Sequence, residues 1–187
     1  MELLHIQKQY GTKEIFHDYN ASFKQGSRYC IMGESGRGKT TLLRMIAGLE
    51  TYDQGEIVWD AMKKVSVVFQ ENRLFEWATV EKNIALVQKK KQSIDIARHL
   101  QKVKLEGMEK KKVSELSGGM KRRVAIVRAM VAESSLVLMD EPFTGLDLDT
   151  KKEVIQYVLE QQKGRTLLIS THSKEEVSLL QAEMIQL

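Results

Sequence analysis

The eight residues Gly33-Glu34-Ser35-Gly36-Arg37-Gly38-Lys39-Thr40 constrain this chain more than any other stretch. They fit G-x-x-x-x-G-K-[ST], a loop that cradles nucleotide phosphates. The flanks agree with that reading. Arg28-Tyr29-Cys30-Ile31-Met32 reads as a short buried strand, and residues 41–48 read as a helix stopped by Gly48. Strand, glycine loop and helix are what the chemistry requires, because glycines let backbone N–H groups face an anion and the helix N-terminus adds a favourable dipole. In such a loop Lys39 would bridge the β- and γ-phosphates, Thr40 would offer a hydroxyl to Mg²⁺, and Thr41 would reach the α-phosphate.

A length of 187 residues suits one domain with a sub-domain and a real core. No apolar run approaches the roughly 20 residues that cross a bilayer, and no secretory segment opens the chain, so a cytosolic chain is expected. The single cysteine, Cys30, excludes an internal disulfide framework and reads as a buried, inert thiol. The net charge of +4 is unevenly spread. Residues 71–135 hold 15 of the 29 Lys and Arg but only 8 of the 25 Asp and Glu. The runs Lys89-Lys90-Lys91 and Lys110-Lys111-Lys112 carry no interleaved aromatics. They read as a solvated face or as a surface near anionic headgroups, ahead of nucleic-acid contact.

Residues 2–6 and 13–23 read as strands around a turn at Tyr10-Gly11-Thr12, with Ile15, Tyr19, Ala21 and Phe23 on one face. Tyr10 could stack on an adenine ring or simply cover the sheet. A short strand follows the turn at residues 52–55. Val65-Ser66-Val67-Val68-Phe69 is a buried strand, and Gln70 at its end points into the crevice of an open α/β sheet, where an amide could meet Mg²⁺ or a water. Helices are expected over 79–88, 93–105 and 118–131, a helical sub-domain inserted over about 71–135. Ser117, Gly118 and Gly119 open the last of these helices and form a second anion site. Leu136-Val137-Leu138-Met139-Asp140-Glu141-Pro142 is an apolar strand ending in two acids, with Asp140 suited to the Mg²⁺ shell and Glu141 to activating water. A helix is expected from about 150 to 162 and a strand over 165–170. His172 follows that strand and could contact a γ-phosphate, and a last strand is expected at 183–187.

In this order the motifs resemble those of the ATP-binding subunit of ABC transporters, over the whole chain. The resemblance makes Tyr10 the A-loop aromatic, residues 33–40 Walker A, Gln70 the Q-loop, residues 116–120 the signature, residues 136–140 Walker B, Glu141 the catalytic glutamate, residues 145–147 the D-loop and His172 the switch histidine. It implies an α/β fold: a P-loop NTPase (RecA-like) core, a small N-terminal antiparallel β sub-domain, trimmed between Gly55 and Gln70, and the inserted α-helical sub-domain. It also implies ATP and Mg²⁺, hydrolysis, and a head-to-tail pair of subunits with each ATP between one copy's Walker A and the other's Ser117-Gly118-Gly119. A transmembrane permease and an extracytoplasmic solute-binding protein are the implied partners, on the cytoplasmic face of the cell membrane, and no nucleic acid is expected.

Residues 68–80, V-F-Q-E-N-R-L-F-E-W-A-T-V, are similar to the Q-loop region of nitrate/sulfonate/taurine importers, with Glu76 where those usually carry proline. Leu74, Phe75 and Trp77 there would receive the permease. Met120 replaces the commoner glutamine of the signature. Ending at Leu187, the chain is expected to lack a C-terminal regulatory domain. The alternatives are a soluble ABC ATPase acting on nucleic acid or the ribosome, for which neither a coiled-coil insert nor a second cassette is present, and a P-loop kinase or GTPase, which would not need residues 116–119 or Glu141.

Overall fold

The computed structural model describes residues 1–59, 64–88 and 94–187. In chain order the strands are β1 (Glu2–Tyr10), β2 (Lys13–Ser22), β3 (Arg28–Met32), β4 (Gln54–Val58), β5 (Val65–Val68), β6 (Leu136–Asp140), β7 (Thr166–Ser170) and β8 (Glu183–Gln186). The helices are α1 (Lys39–Ala47), α2 (Val80–Ala85), α3 (Ile96–Gln101), α4 (Gly118–Val131), α5 (Leu148–Gln162) and α6 (Lys174–Leu180). The chain divides into two compact units. The first is Met1–Val67, Ser134–Asp140 and Gly164–Leu187; the second is Val68–Glu133 and Glu141–Lys163.

The first unit holds two sheets. One has the order β5-β6-β7-β3-β8, with β3 parallel to β7 and β8, and β6 parallel to β7. Strands β6 and β7 are buried at every residue. This is why they read as unbroken apolar runs and not as alternating ones: a parallel sheet is covered on both faces. Helix α1 packs on it through Leu42, Met45 and Ile46, all at most 2% exposed, and stops at Gly48, whose N–H closes on the Met45 carbonyl. The second sheet is antiparallel, in the order β2-β1-β4.

The expected face of β2 needs one addition. Phe16 is buried on that side as well, while Ile15 is half-buried and packs against the same core as Tyr19, Ala21 and Phe23. Between the pairs Ile6–Tyr19 and Lys8–Phe16, β2 carries one residue more than β1, and Ile15 is itself an extra residue before Gln9–Glu14. Asp18 takes up the first irregularity at φ 52°. Each added residue moves the following side chains to the other face, so a strict period of two loses register here.

In the second unit α2, α3 and α5 pack against α4. Each helix starts at a side-chain cap: Thr79, Asp95, Ser117 and Asp147 accept from the N–H groups of Lys82, Arg98, Met120 and Thr150. These caps explain the boundaries. Asp95 starts α3 later than expected, and Asp147 starts α5 earlier, at Leu148. At its other end α3 gives way to turns closed by the Leu105 N–H on the Leu100 carbonyl, with Lys104 at φ 55°. Helix α2 stops at Ala85, where Leu86 and Val87 leave the interior and no longer pin the helix by packing. Lys89, Lys90, Lys91 and the expected helix start at Ser93 lie outside the described residues.

Candidate functional site

The first unit gathers one set of polar groups at the C-terminal ends of its parallel strands, where ligands of such sheets bind. Gly33 follows β3, Asp140 ends β6 and Ser170 ends β7. The loop after β3 enters α1 through Gly38, at φ 101°. A Cβ on Gly38 would lie 2.6 Å from Ile15 Cγ2 and 2.9 Å from Phe16 Cζ, so both conformation and packing demand glycine. Glu34, Ser35, Gly36 and Arg37 are exposed and Thr41 is half-buried. Lys39 is buried, and its Nζ donates to the carbonyls of Gly33 at 2.8 Å and Glu34 at 3.0 Å. An ammonium group thus bridges two carbonyls of the loop.

Asp140 is 6% exposed, and both its oxygens accept from hydroxyls: Oδ2 from Thr40 at 2.7 Å and Oδ1 from Ser170 at 2.6 Å. Among the described residues no three His, Cys, Asp or Glu side chains could together hold a metal. One carboxylate and one hydroxyl nevertheless suit Mg²⁺, which takes hard oxygen ligands, keeps waters and borrows phosphate oxygens. The donor set therefore fits a nucleotide-borne Mg²⁺.

Two further residues sit on this unit. Tyr10 ends β1 with 46% of its surface exposed, and the Lys8 ammonium lies 4.7 Å from its ring centroid. Lys8 is buried and pairs with Glu50 at 3.0 Å. That hydrogen bond, with a further one from Tyr10, holds the Glu50 carboxyl below its ordinary range. His172 stands exposed beyond β7. The residue before it is fixed, because the buried Thr171 hydroxyl donates to Glu176 Oε2 and accepts from the Ser173 N–H at 3.0 Å.

The second unit brings together a different set. Gln70, Asn72, Gly118, Arg122, Glu141 and Thr144 line a cleft of about 290 Å³. Glu141 lies there at φ 47°, a left-handed conformation that a side chain rarely adopts. Ser117 caps α4, leaving Gly118 exposed and Gly119 half-buried on its first turn. A Cβ on Gly118 would meet nothing within 4 Å, and one on Gly119 only ordinary contacts with Leu146 at 3.5 Å and the Gly145 carbonyl at 3.7 Å. A separate apolar cleft of about 370 Å³ is lined by Phe75, Trp77, Ala78, Lys82, Ala85 and Leu86. Trp77 is 75% exposed. The buried Asn83 side chain fixes the Phe75 backbone by accepting from its N–H at 2.8 Å and donating to its carbonyl at 3.0 Å. Glu76 does not line that cleft but pairs with Lys121 of α4 at 2.8 Å.

Several of these residues escape a reading of motifs. Ser170 could have been found by the rule that singles out Gln70 and Glu141, a polar residue ending a buried strand. Arg122 could have been found by its helical spacing with the apolar Ala125, Ile126 and Ala129. Asn83, Lys8 and Glu50 leave no sequence signal.

Fold and site together define a P-loop nucleotide hydrolase. The family model described as "ABC transporter" matches residues 16–144. The chain is 38% identical over 192 residues to the aliphatic sulfonates import ATP-binding protein SsuB of Bacillus thuringiensis subsp. konkukian (strain 97-27), covering 97% of this chain and 76% of that one. It is 37% identical over 202 residues to the taurine import ATP-binding protein TauB of Escherichia coli (strain K12), covering 100% and 79%. Its fold matches the ATP-binding cassette MJ0796, solved as a dimer in a post-hydrolysis state bound to ADP and Pi, with a TM-score of 0.85 and 26% identity over 100% of this chain and 93% of that one. The chain belongs to the ABC transporter family and is an ATP-binding, ATP-hydrolysing cassette. Its likeness to the sulfonate and taurine group, legible in residues 68–80, is shown by these relatives. Among the described residues no helix is long and apolar enough to cross a membrane.

Proposed function

We propose that this chain is the energy-supplying subunit of a membrane importer for small sulfonates of the aliphatic or taurine type, and that it works as a head-to-tail pair of copies. The observation that carries the pairing is Gly118. Its own chain leaves open space where a side chain would stand and does not hold it at a positive φ. A glycine in a helix costs up to about 1 kcal/mol relative to alanine. Its value lies in what approaches from outside, and an exposed helix N-terminus with a serine cap suits a phosphate of a nucleotide held by a second copy.

Within one copy, Tyr10 offers a ring face to adenine and the N–H groups of residues 33–41 cradle the phosphates. Lys39 balances the β- and γ-phosphate charge. Thr40, Asp140 and Gln70 would hold Mg²⁺, which supplies charge neutralisation on the phosphate oxygens. Glu141 accepts the proton of the attacking water, and His172 contacts the γ-phosphate. The exposed Phe75, Trp77 and Leu86 around the apolar cleft support docking of a permease segment there. Selection of the sulfonate then falls to that permease and to an extracytoplasmic solute-binding protein, with this subunit on the cytoplasmic face of the membrane. The whole of residues 1–187 acts as one ATPase domain, with residues 71–135 as its helical insert.

The test is capture from membranes. Tagged Glu141→Gln protein loaded with Mg-ATP is mixed with detergent-solubilised membranes of the source cell, and partners are identified by mass spectrometry. Recovery of a multi-span permease is the expected result. Ribosomal or DNA-associated proteins without a permease would move the chain to a soluble ABC ATPase.

A further inference from the structure

Arg122 is a buried cation in the middle of the second unit, 5% exposed, and it is ringed by main-chain oxygens. Its Nε donates to the Pro142 carbonyl at 3.1 Å and its Nη2 to the Glu141 carbonyl at 2.6 Å. Its Nη1 donates to the carbonyls of Phe69 and of Gln70, the latter at 3.2 Å, and to Asn72 Oδ1 at 3.5 Å. A guanidinium has five N–H donors in a rigid plane, so it can hold two separate segments at once, which an ammonium does less well.

The two segments it holds are informative. One carries Gln70 and the other Glu141. Glu141 sits at φ 47°, a conformation that persists in a side-chain-bearing residue only when its surroundings enforce it. The bond from Arg122 falls on that residue's own carbonyl, and so fixes the peptide plane that aims its carboxylate. Arg122 also lies on α4, one helical turn beyond Gly118. Neighbouring arginines of the helix hold other backbone: Arg123 the carbonyls of Val103 and Lys104, Arg128 those of Asn72 and Arg73. Arg122 alone among these three is bound to the segment of Glu141.

We propose that Arg122 is a positioning residue for hydrolysis. It ties the backbone of Gln70 and Glu141 to the first turn of α4, so that the helix presenting Ser117 and Gly118 also sets the direction of the water-activating carboxylate. The inference rests on the reading of Glu141 as the base and adds to it a mechanical link from signature helix to base within one subunit.

The test is a double-mutant cycle of Arg122→Met and Glu141→Gln, read as ATP hydrolysis by the purified ATPase with ATP affinity measured alongside. Arg122→Met lowers kcat by about 30- to 100-fold, part of the range open to general base catalysis, and leaves the KM for ATP within about threefold. In the Glu141→Gln background the same change costs less than about threefold, because the base it aims is already gone. Arg122→Lys, which keeps a cation and three donors, recovers more of kcat than Arg122→Gln. If Arg122→Met does not fold, as judged by circular dichroism, that Lys-over-Gln order and the cycle run with Arg122→Gln decide. Equal losses in both backgrounds, a raised KM at unchanged kcat, or full turnover in folded Arg122→Met would overturn the proposal. Glu141→Gln by itself reports separately on the base: if it keeps normal hydrolysis, the reading of Glu141 fails first, whatever Arg122 does.

Discussion

The two glycine-bearing helix starts of this chain, at Gly38 and at Gly118, are built on opposite principles. At Gly38 the glycine is forced from within, because φ is 101° and a Cβ would overlap Ile15 and Phe16. At Gly118 the chain's own interior asks for nothing. The residues beside each glycine follow the same division. Lys39 and Asp140, in the first unit, are buried and bonded to loop carbonyls and to hydroxyls, so that half is preorganised by its own fold. In the second unit Ser117 and Gly118 are exposed where α4 begins, with Gly119 half-buried behind them. A glycine required by its own fold can be told from one that is not by asking what a Cβ would meet there.

The comparison can be broken most directly at Glu141. Glu141→Gln is expected to cut hydrolysis by about 10²- to 10⁴-fold while ATP binding persists; binding and phosphate release measured on one preparation check it. Ser117→Arg should abolish turnover while each monomer still binds ATP, and retained turnover would remove any trans-acting role from α4. Lys39→Ala acts on the other half and should weaken ATP binding by roughly 10- to 100-fold, the worth of a charge-assisted contact. Unchanged affinity by calorimetry would sink the P-loop assignment.

The glycines themselves sharpen the contrast. Gly38→Ala is expected to destabilise the fold by about 1–3 kcal/mol, since it adds strain and overpacking together. Gly118→Ala should leave stability unchanged or raise it by up to about 1 kcal/mol, yet lower turnover. Denaturant melts and hydrolysis rates on both variants separate the two cases. The smallest effect concerns Cys30. Burial, helped by the Glu176 charge, pushes its thiol up to about 12. The thiol stays protonated through neutral pH and, in the folded protein, unmodified by iodoacetamide on a mass spectrum.

Much of this was legible because it follows from short-range rules. The P-loop sits between a buried strand and a helix, and β6 and β7 read as apolar runs ending in Asp140 and Ser170. The burial of Phe16 on the same side of β2 as Ile15 was not legible, because the irregularities at Ile15 and Asp18 are set by pairing with β1 and no local signal marks them. The Arg122 contacts were hidden for a related reason. Its acceptors are main-chain carbonyls of residues about 20 and 50 positions away, and carbonyls have no letter in a sequence.

The measurement that tests the central claim most directly is the solution mass of Glu141→Gln with saturating Mg-ATP, by size-exclusion chromatography with light scattering. A dimer that reverts to monomer when Ser117→Arg is added is the predicted result. A monomer at high protein concentration, with ATP demonstrably bound, would contradict the account.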